Sequence, residues 1–171
     1  MQLAPNLAAA APWQRLVQPV LSRTDPLDQA RALLEAVMAD PGAIAALPLV
    51  RTALRYERNF LFGDETMSVW AMTWAPGCAT AIHDHHCSCC FGVLSGELTE
   101  RRFQNVEADR VVQTFERVRG PGFIACMLPS GPNIHQMLNL SAEEALSVHV
   151  YGFDRTRHAS SVDREYRPRN D

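Results

Sequence analysis

The spacing of hydrophobic residues changes character near residue 66. Before it, apolar positions recur every three or four residues. In "PWQRLVQPVL", Trp13, Leu16, Val17, Val20 and Leu21 share one helical face, with Pro19 placed to kink or split the segment. In "TDPLDQARALLEAVMAD", Leu27, Leu33, Leu34, Val37 and Met38 form an apolar stripe. There Asp25 can cap and Pro26 suits the first helical position. Pro41-Gly42 ends that helix, and a third helical stretch is expected through the forties into the fifties.

After residue 66 the period falls to two. "TMSVWAMTW", "TAIHDHH", "CFGVL", "ELTERRF", "VVQTF", "GFIACML", "NIHQML" and "ALSVHVY" read as short strands. Turn signals separate them: Pro76-Gly77, Ser95-Gly96, Gly120-Pro121-Gly122 and Pro129-Ser130-Gly131-Pro132. The expected architecture is mainly β, a small antiparallel barrel or sandwich with N-terminal helices packed outside. One domain is expected over 1–171: a mostly helical part to residue 60, a barrel over 66–152, and a polar tail, surface arm or lid, over 154–171.

Composition adds exclusions. The 171 residues are 47% hydrophobic and 20% charged, ordinary for a globular chain. A net charge of −3 gives no reason to expect nucleic acid or an anionic membrane as partner. No apolar run approaches the roughly 20 residues of a membrane helix, and the N-terminus lacks the basic region of a signal peptide. Five cysteines, three of them within four residues, suit no disulfide framework. The expectation is a reduced, cytoplasmic protein, a monomer or small homo-oligomer.

The densest chemistry lies in "AIHDHHCSCC", residues 81–90. On a strand, His83 and His85 share a face while Asp84 points away, so two imidazoles converge on one ion. His135, in "PSGPNIHQMLN", is the best-placed third ligand. Zinc is among the metals that accept three histidines, so residue types leave the metal open.

These stretches resemble the motifs of the cupin superfamily. The first cupin motif runs glycine, five residues, His-x-His, three or four residues, usually glutamate, six residues, glycine. Here Gly77 is followed by His83-Asp84-His85, then Cys89 in the glutamate position, then Gly96. Pro129, Gly131, His135 and Asn139 are similar to the second motif, with one extra residue between Gly131 and His135. Without the glutamate, three neutral imidazoles leave coordination positions open to a thiolate and dioxygen.

Further features resemble the cysteine dioxygenase family. "RYERN" carries a Tyr-x-Arg-Asn pattern, which implies that Tyr56 and Arg58 bind substrate, the guanidinium clamping a carboxylate. "SVHVY" puts Ser147, His149 and Tyr151 on one face. By default Val148 and Val150 would face the core and that polar stripe would face water. The resemblance implies the reverse, with Tyr151 reaching the substrate and His149 and Ser147 orienting its hydroxyl. Some family members also join a cysteine of the first motif to that tyrosine through a thioether. Counting back from Gly96 selects Cys89, which shares the odd-numbered face with His83 and His85. Counting forward from His85 selects Cys90, the second choice. Cys78 and Cys87 are expected as packing residues and Cys126 as a buried strand residue.

The resemblance implies Fe(II) on His83, His85 and His135, with Tyr151, His149, Ser147 and Cys89 as catalytic groups. The implied reaction adds both atoms of O2 to the sulfur of a small carboxylate-bearing thiol, converting L-cysteine to cysteine sulfinic acid. Other thiols, 3-mercaptopropionate or mercaptosuccinate, are alternatives. Relatives that prefer 3-mercaptopropionate usually carry glutamine where Arg58 stands, which tilts the reading toward cysteine. Gly152-Phe153 departs from the serine and proline of the animal enzymes, so the pocket wall differs there. From other classes, a three-histidine cupin could be a zinc or manganese sugar isomerase or a non-catalytic small-molecule-binding protein.

Overall fold

A computed structural model describes residues 25–169; the expected helical stretch around residues 13–21 lies outside them. Helix α1 spans Pro26–Ala39, and the Asp25 carboxylate caps it by accepting from the amides of Leu27 and Asp28 at 2.8 and 2.9 Å. Its inner face buries Ala30, Leu33, Leu34 and Val37. The helix expected to follow is a single turn, α2, Gly42–Ala45. Pro48 explains the early stop: it has no amide hydrogen to donate and disfavours the helical conformation at Leu47.

Ten strands follow: β1 Tyr56–Gly63, β2 Ser68–Trp74, β3 Ile82–His85, β4 Cys89–Ser95, β5 Leu98–Glu107, β6 Arg110–Arg119, β7 Ile124–Met127, β8 His135–Leu138, β9 Ala145–Tyr151 and β10 Val162–Pro168. One sheet runs β1-β2-β9-β4-β7, and a second set, β10-β3-β8-β5-β6, closes on itself. The mainly β architecture with helix packed outside is therefore as expected.

Two apolar clusters hold the first sheet from both sides. Leu33, Leu34 and Val37 of α1 pack on its outer face against Val69, Ala71, Val148 and Val150. The inner face buries Met72, Trp74, Cys89, Phe91, Val93 and Tyr151, with Leu98 and Met137 from the closed set. Every residue of β9 is buried as a result, so neither the valines nor the Ser147-His149-Tyr151 stripe meets bulk water. At the β4–β5 turn, Gly96 has φ +70°, and a Cβ there would lie 2.6 Å from the Glu144 carbonyl oxygen. Only glycine fits that turn.

Two expectations need correction. Residues 154–171 are not wholly a tail, because β10 pairs antiparallel with β3 and parallel with β6 and completes the closed set. The Asp84 carboxylate fastens it, accepting from the Arg164 amide and the Tyr166 hydroxyl, each at 2.8 Å. The sequence carries no alternation to mark this strand, because Tyr166 is its one buried residue. Nor are all five cysteines unpaired. Cys90 and Cys126 face each other across β4 and β7 with Cα atoms 4.0 Å apart and form a disulfide. Cys126 is half-buried rather than buried. A separation of 36 residues concealed the pair in the sequence.

Candidate metal and thiol site

The closed set supplies three imidazoles. His83 and His85 alternate on β3 with Ile82 and Asp84, which point to the opposite face, where Ile82 is buried against Phe103, Val111 and Tyr166. His135 on β8 is the direct partner of His83. All three are buried, and their candidate ligand atoms lie within 4.8 Å of one another. Among the described residues this is the one such group of histidine, cysteine and carboxylate side chains. Burial lowers the pKa of each, to about 3 for His85, so all are neutral and offer lone pairs. His83 donates from Nδ1 to the Ala81 carbonyl at 2.9 Å and His85 from Nδ1 to the Ser161 carbonyl at 3.3 Å. Those bonds fix the tautomer and leave both Nε2 atoms as acceptors.

The Nε2 atoms of His85 and His135 are 3.0 Å apart. That is about the separation of two nitrogens held near a right angle, each roughly 2.1 Å from one cation. His135 Nδ1 is buried with no partner among the described residues, which leaves this imidazole nothing but the common focus to bind. The residues present fit a divalent cation with three facial nitrogen ligands and open positions opposite.

The other sheet supplies the remaining wall. Tyr56 and Arg58 on β1 and Met72 and Trp74 on β2 line the same cavity as the imidazoles, as do half-buried Ser160 and Val162, buried Ser161 and exposed Glu165. The cavity holds about 70 Å³, far less than the roughly 300–1,000 Å³ of common ligand pockets. Arg58 is oriented by the face of Trp70, 4.6 Å from its guanidinium carbon, while its buried Nη2 has no hydrogen-bond partner. A buried, unpartnered guanidinium nitrogen beside an open cavity is a receptor for an anion.

A hydrogen-bonded file runs along β9. Trp74 Nε1 donates to Ser147 Oγ at 2.8 Å; Ser147 Oγ lies 2.9 Å from His149 Nε2, and His149 Nδ1 lies 3.3 Å from the Tyr151 hydroxyl. The indole can only donate, so the Ser147 hydroxyl is free to donate onward to His149. In that direction His149 Nδ1–H points at the tyrosine oxygen, and the phenolic proton is left for the cavity. Burial keeps His149 neutral, with its pKa at about 3, and raises that of Tyr151, so the phenol keeps its proton. Cys89 is fully buried directly opposite Tyr151 in the β4–β9 register, whereas Cys90 faces α1 and is bonded to Cys126. Burial also holds the Cys89 thiol protonated, far above its usual range.

The structure thus brings all nine expected site residues to one region: His83, His85 and His135; Tyr56 and Arg58; Ser147, His149 and Tyr151; and Cys89. Sequence reading missed Trp74, Trp70 and the cavity edge from Ser160 to Glu165. The alternation in "TMSVWAMTW" placed the two indoles on one face but carried no sign of their partners. His86, which had no assigned task, lies 2.9 Å by Nε2 from the Ser160 carbonyl and packs on His158 with ring centroids 4.8 Å apart. It braces the cavity edge from outside. Among the described residues, no helix is long and apolar enough to cross a membrane.

Residues 8–160 match the family described as cysteine dioxygenase type I. Among solved structures, a Klebsiella pneumoniae protein with a double-stranded β-helix domain aligns at 19% identity and a TM-score of 0.50, over 68% of this chain and 91% of its own. That likeness is one of fold. A Thermus thermophilus protein aligns at 25% identity and a TM-score of 0.46, over 57% of this chain and 83% of its own. A cupin-superfamily sugar phosphate isomerase from Silicibacter pomeroyi aligns at 20% identity and a TM-score of 0.42, over 52% of this chain and 51% of its own, about half its length.

Proposed function

Since the chain belongs to the cysteine dioxygenase type I family, we propose that it is an Fe(II) thiol dioxygenase acting on L-cysteine. The balanced reaction takes RSH and O2 to RSO2H, with both oxygen atoms ending on sulfur and no external reductant. One observation carries this reading: three buried, neutral imidazoles converge in the cavity into which an unpartnered nitrogen of Arg58 is buried.

His83, His85 and His135 would hold the iron, which when bound acidifies a ligating thiol and activates dioxygen. Arg58 binds the substrate carboxylate through its free edge, and Trp70 holds the guanidinium plane without neutralising it, as a protein carboxylate would. Tyr56, tilted against Trp74 with ring centroids 5.0 Å apart, narrows the wall beside it. Tyr151 directs its phenolic proton toward the reacting sulfur and oxygen, with His149 and Ser147 fixing that direction. The protein's share is orientation in a site screened from water. Cys89 is the partner of Tyr151 for a thioether; its formation removes two hydrogens to dioxygen and would lower the intact mass by about two units.

Oxygen uptake by the Fe(II)-loaded protein, measured with L-cysteine, 3-mercaptopropionate, mercaptosuccinate and cysteamine, tests reaction and substrate together. Cysteine should be turned over best, with the sulfinate as product. Bound zinc with no thiol-dependent uptake would refute the reading, and a clear preference for 3-mercaptopropionate would refute the substrate.

A further inference from the structure

Arg58 and Glu165 are the only arginine and the only carboxylate among the residues lining the cavity. They stand on different walls. Arg58 comes from β1 of the open sheet, with its Nη2 buried; Glu165 comes from β10 of the closed set and is exposed. Glu165 is the direct cross-strand partner of His83, and His83 is in turn the partner of His135. Opposed residues of paired strands project to the same face, so the carboxylate flanks the imidazoles on the cavity side.

The acidic side chain elsewhere in the interior is not comparable. Glu100 is buried, but Arg102 and Arg119 neutralise it at 2.9 and 2.7 Å. Glu165 belongs to none of the ion pairs formed among the described residues. Its charge stands uncompensated at the cavity opening.

We propose that Glu165 is a selectivity residue that, with Arg58, makes the cavity dipolar and admits thiols with a cationic amino group while rejecting those with a second carboxylate. An α-amino thiol near neutral pH carries one ammonium and one carboxylate. Arg58 attracts the carboxylate from within, and Glu165 draws the ammonium to the opening, so the molecule enters already oriented. A dicarboxylic thiol such as mercaptosuccinate satisfies Arg58 with one carboxylate and sets the other against Glu165. Like charges brought together at a binding surface are an effective means of rejection. The inference rests on reading Arg58 as the carboxylate receptor of a thiol dioxygenase.

The test compares wild type, Glu165→Gln and Glu165→Lys, all loaded with Fe(II). The readouts are kcat/KM for L-cysteine and mercaptosuccinate by oxygen uptake, and anaerobic equilibrium binding of the same thiols. The cysteine-to-mercaptosuccinate ratio should fall about fivefold in Glu165→Gln and further in Glu165→Lys, the change shrinking as salt screens an exposed charge. Iron content should stay at the wild-type level. Ratios within twofold of wild type in both variants would overturn the proposal. So would loss of iron in Glu165→Gln, which would make the residue a support for His83. If wild type took up no oxygen with any thiol, the dioxygenase reading would fail, and the binding ratios would still decide the role of Glu165.

Discussion

The two strand sets divide the work of the site. The closed set β10-β3-β8-β5-β6 carries all three imidazoles, and the open sheet β1-β2-β9-β4-β7 carries Arg58, the Ser147-His149-Tyr151 file and Cys89. His83 and His85 are fixed by the backbone carbonyls of Ala81 and Ser161, whereas the open-sheet groups are fixed by aromatic faces and side-chain hydrogen bonds. Metal binding and the carboxylate and proton contacts of the open sheet should therefore fail separately, with Glu165 of β10 the one group on the closed set proposed to handle substrate. A cavity shared by two independently built walls can change its substrate without rebuilding its metal centre.

The largest break in that division should come from His135→Ala. With two imidazoles left, metal retained through dialysis should drop from about one equivalent to near zero, and turnover should fall by about two orders of magnitude or more. Equimolar metal in this variant would show that the closed set is not the sole ligand source. Arg58→Ala should act on the other side only. The KM for carboxylate-bearing thiols should rise about 10- to 100-fold, the scale of a lost charge-assisted pair, with metal content unchanged. Tyr151→Phe, which removes one proton donor, should lower kcat about tenfold while changing KM little. If KM moved more than kcat, Tyr151 would belong with the binding groups instead.

The smallest effect is on stability, and it sharpens the comparison because both walls contribute. The unfolded chain protonates histidine near pH 6.5, whereas burial holds His85 of one wall and His149 of the other down at about 3. The unfolded state therefore binds more protons across that interval. The contribution of these two rings to the stability of the metal-free protein should be full above about pH 6.5 and be lost as pH drops toward about 3. At pH 5 the loss should be about 1–2 kcal/mol per imidazole, read from urea unfolding at pH 7.5 and 5. An unchanged midpoint would show that these rings are hydrated.

Much of this arrangement is legible along the chain because it depends on local periods. The capped helix after Asp25 and the shared face of His83 and His85 follow from helical and strand spacing alone. Arg58 needed the resemblance, and His135 stood out only by its context, since nothing near it specifies ligand partners 50 and 52 residues away. What stayed hidden is non-local or breaks the hydrophobic pattern. The β9 stripe is polar yet buried, because α1 covers the valine side and the closed set covers the other. Glu165 lies on a strand with a single fully buried residue and reads as solvated tail. Cys90 and Cys126 look unrelated until β4 and β7 pair.

The clasp between Asp84 and β10 bears on the order of assembly during synthesis. His83, His85 and His135 all precede residue 136, as do both sides of the Cys90–Cys126 bridge, whereas the bonds from Arg164 and Tyr166 reach back 80 and 82 positions to Asp84. Contacts so distant in sequence form late, since a long loop must close before they contribute. A chain emerging from the ribosome thus has its complete ligand set before the strand that seals the ring exists. Because Val162 and Glu165 of β10 line the cavity, that strand can close its edge over ligands already in place.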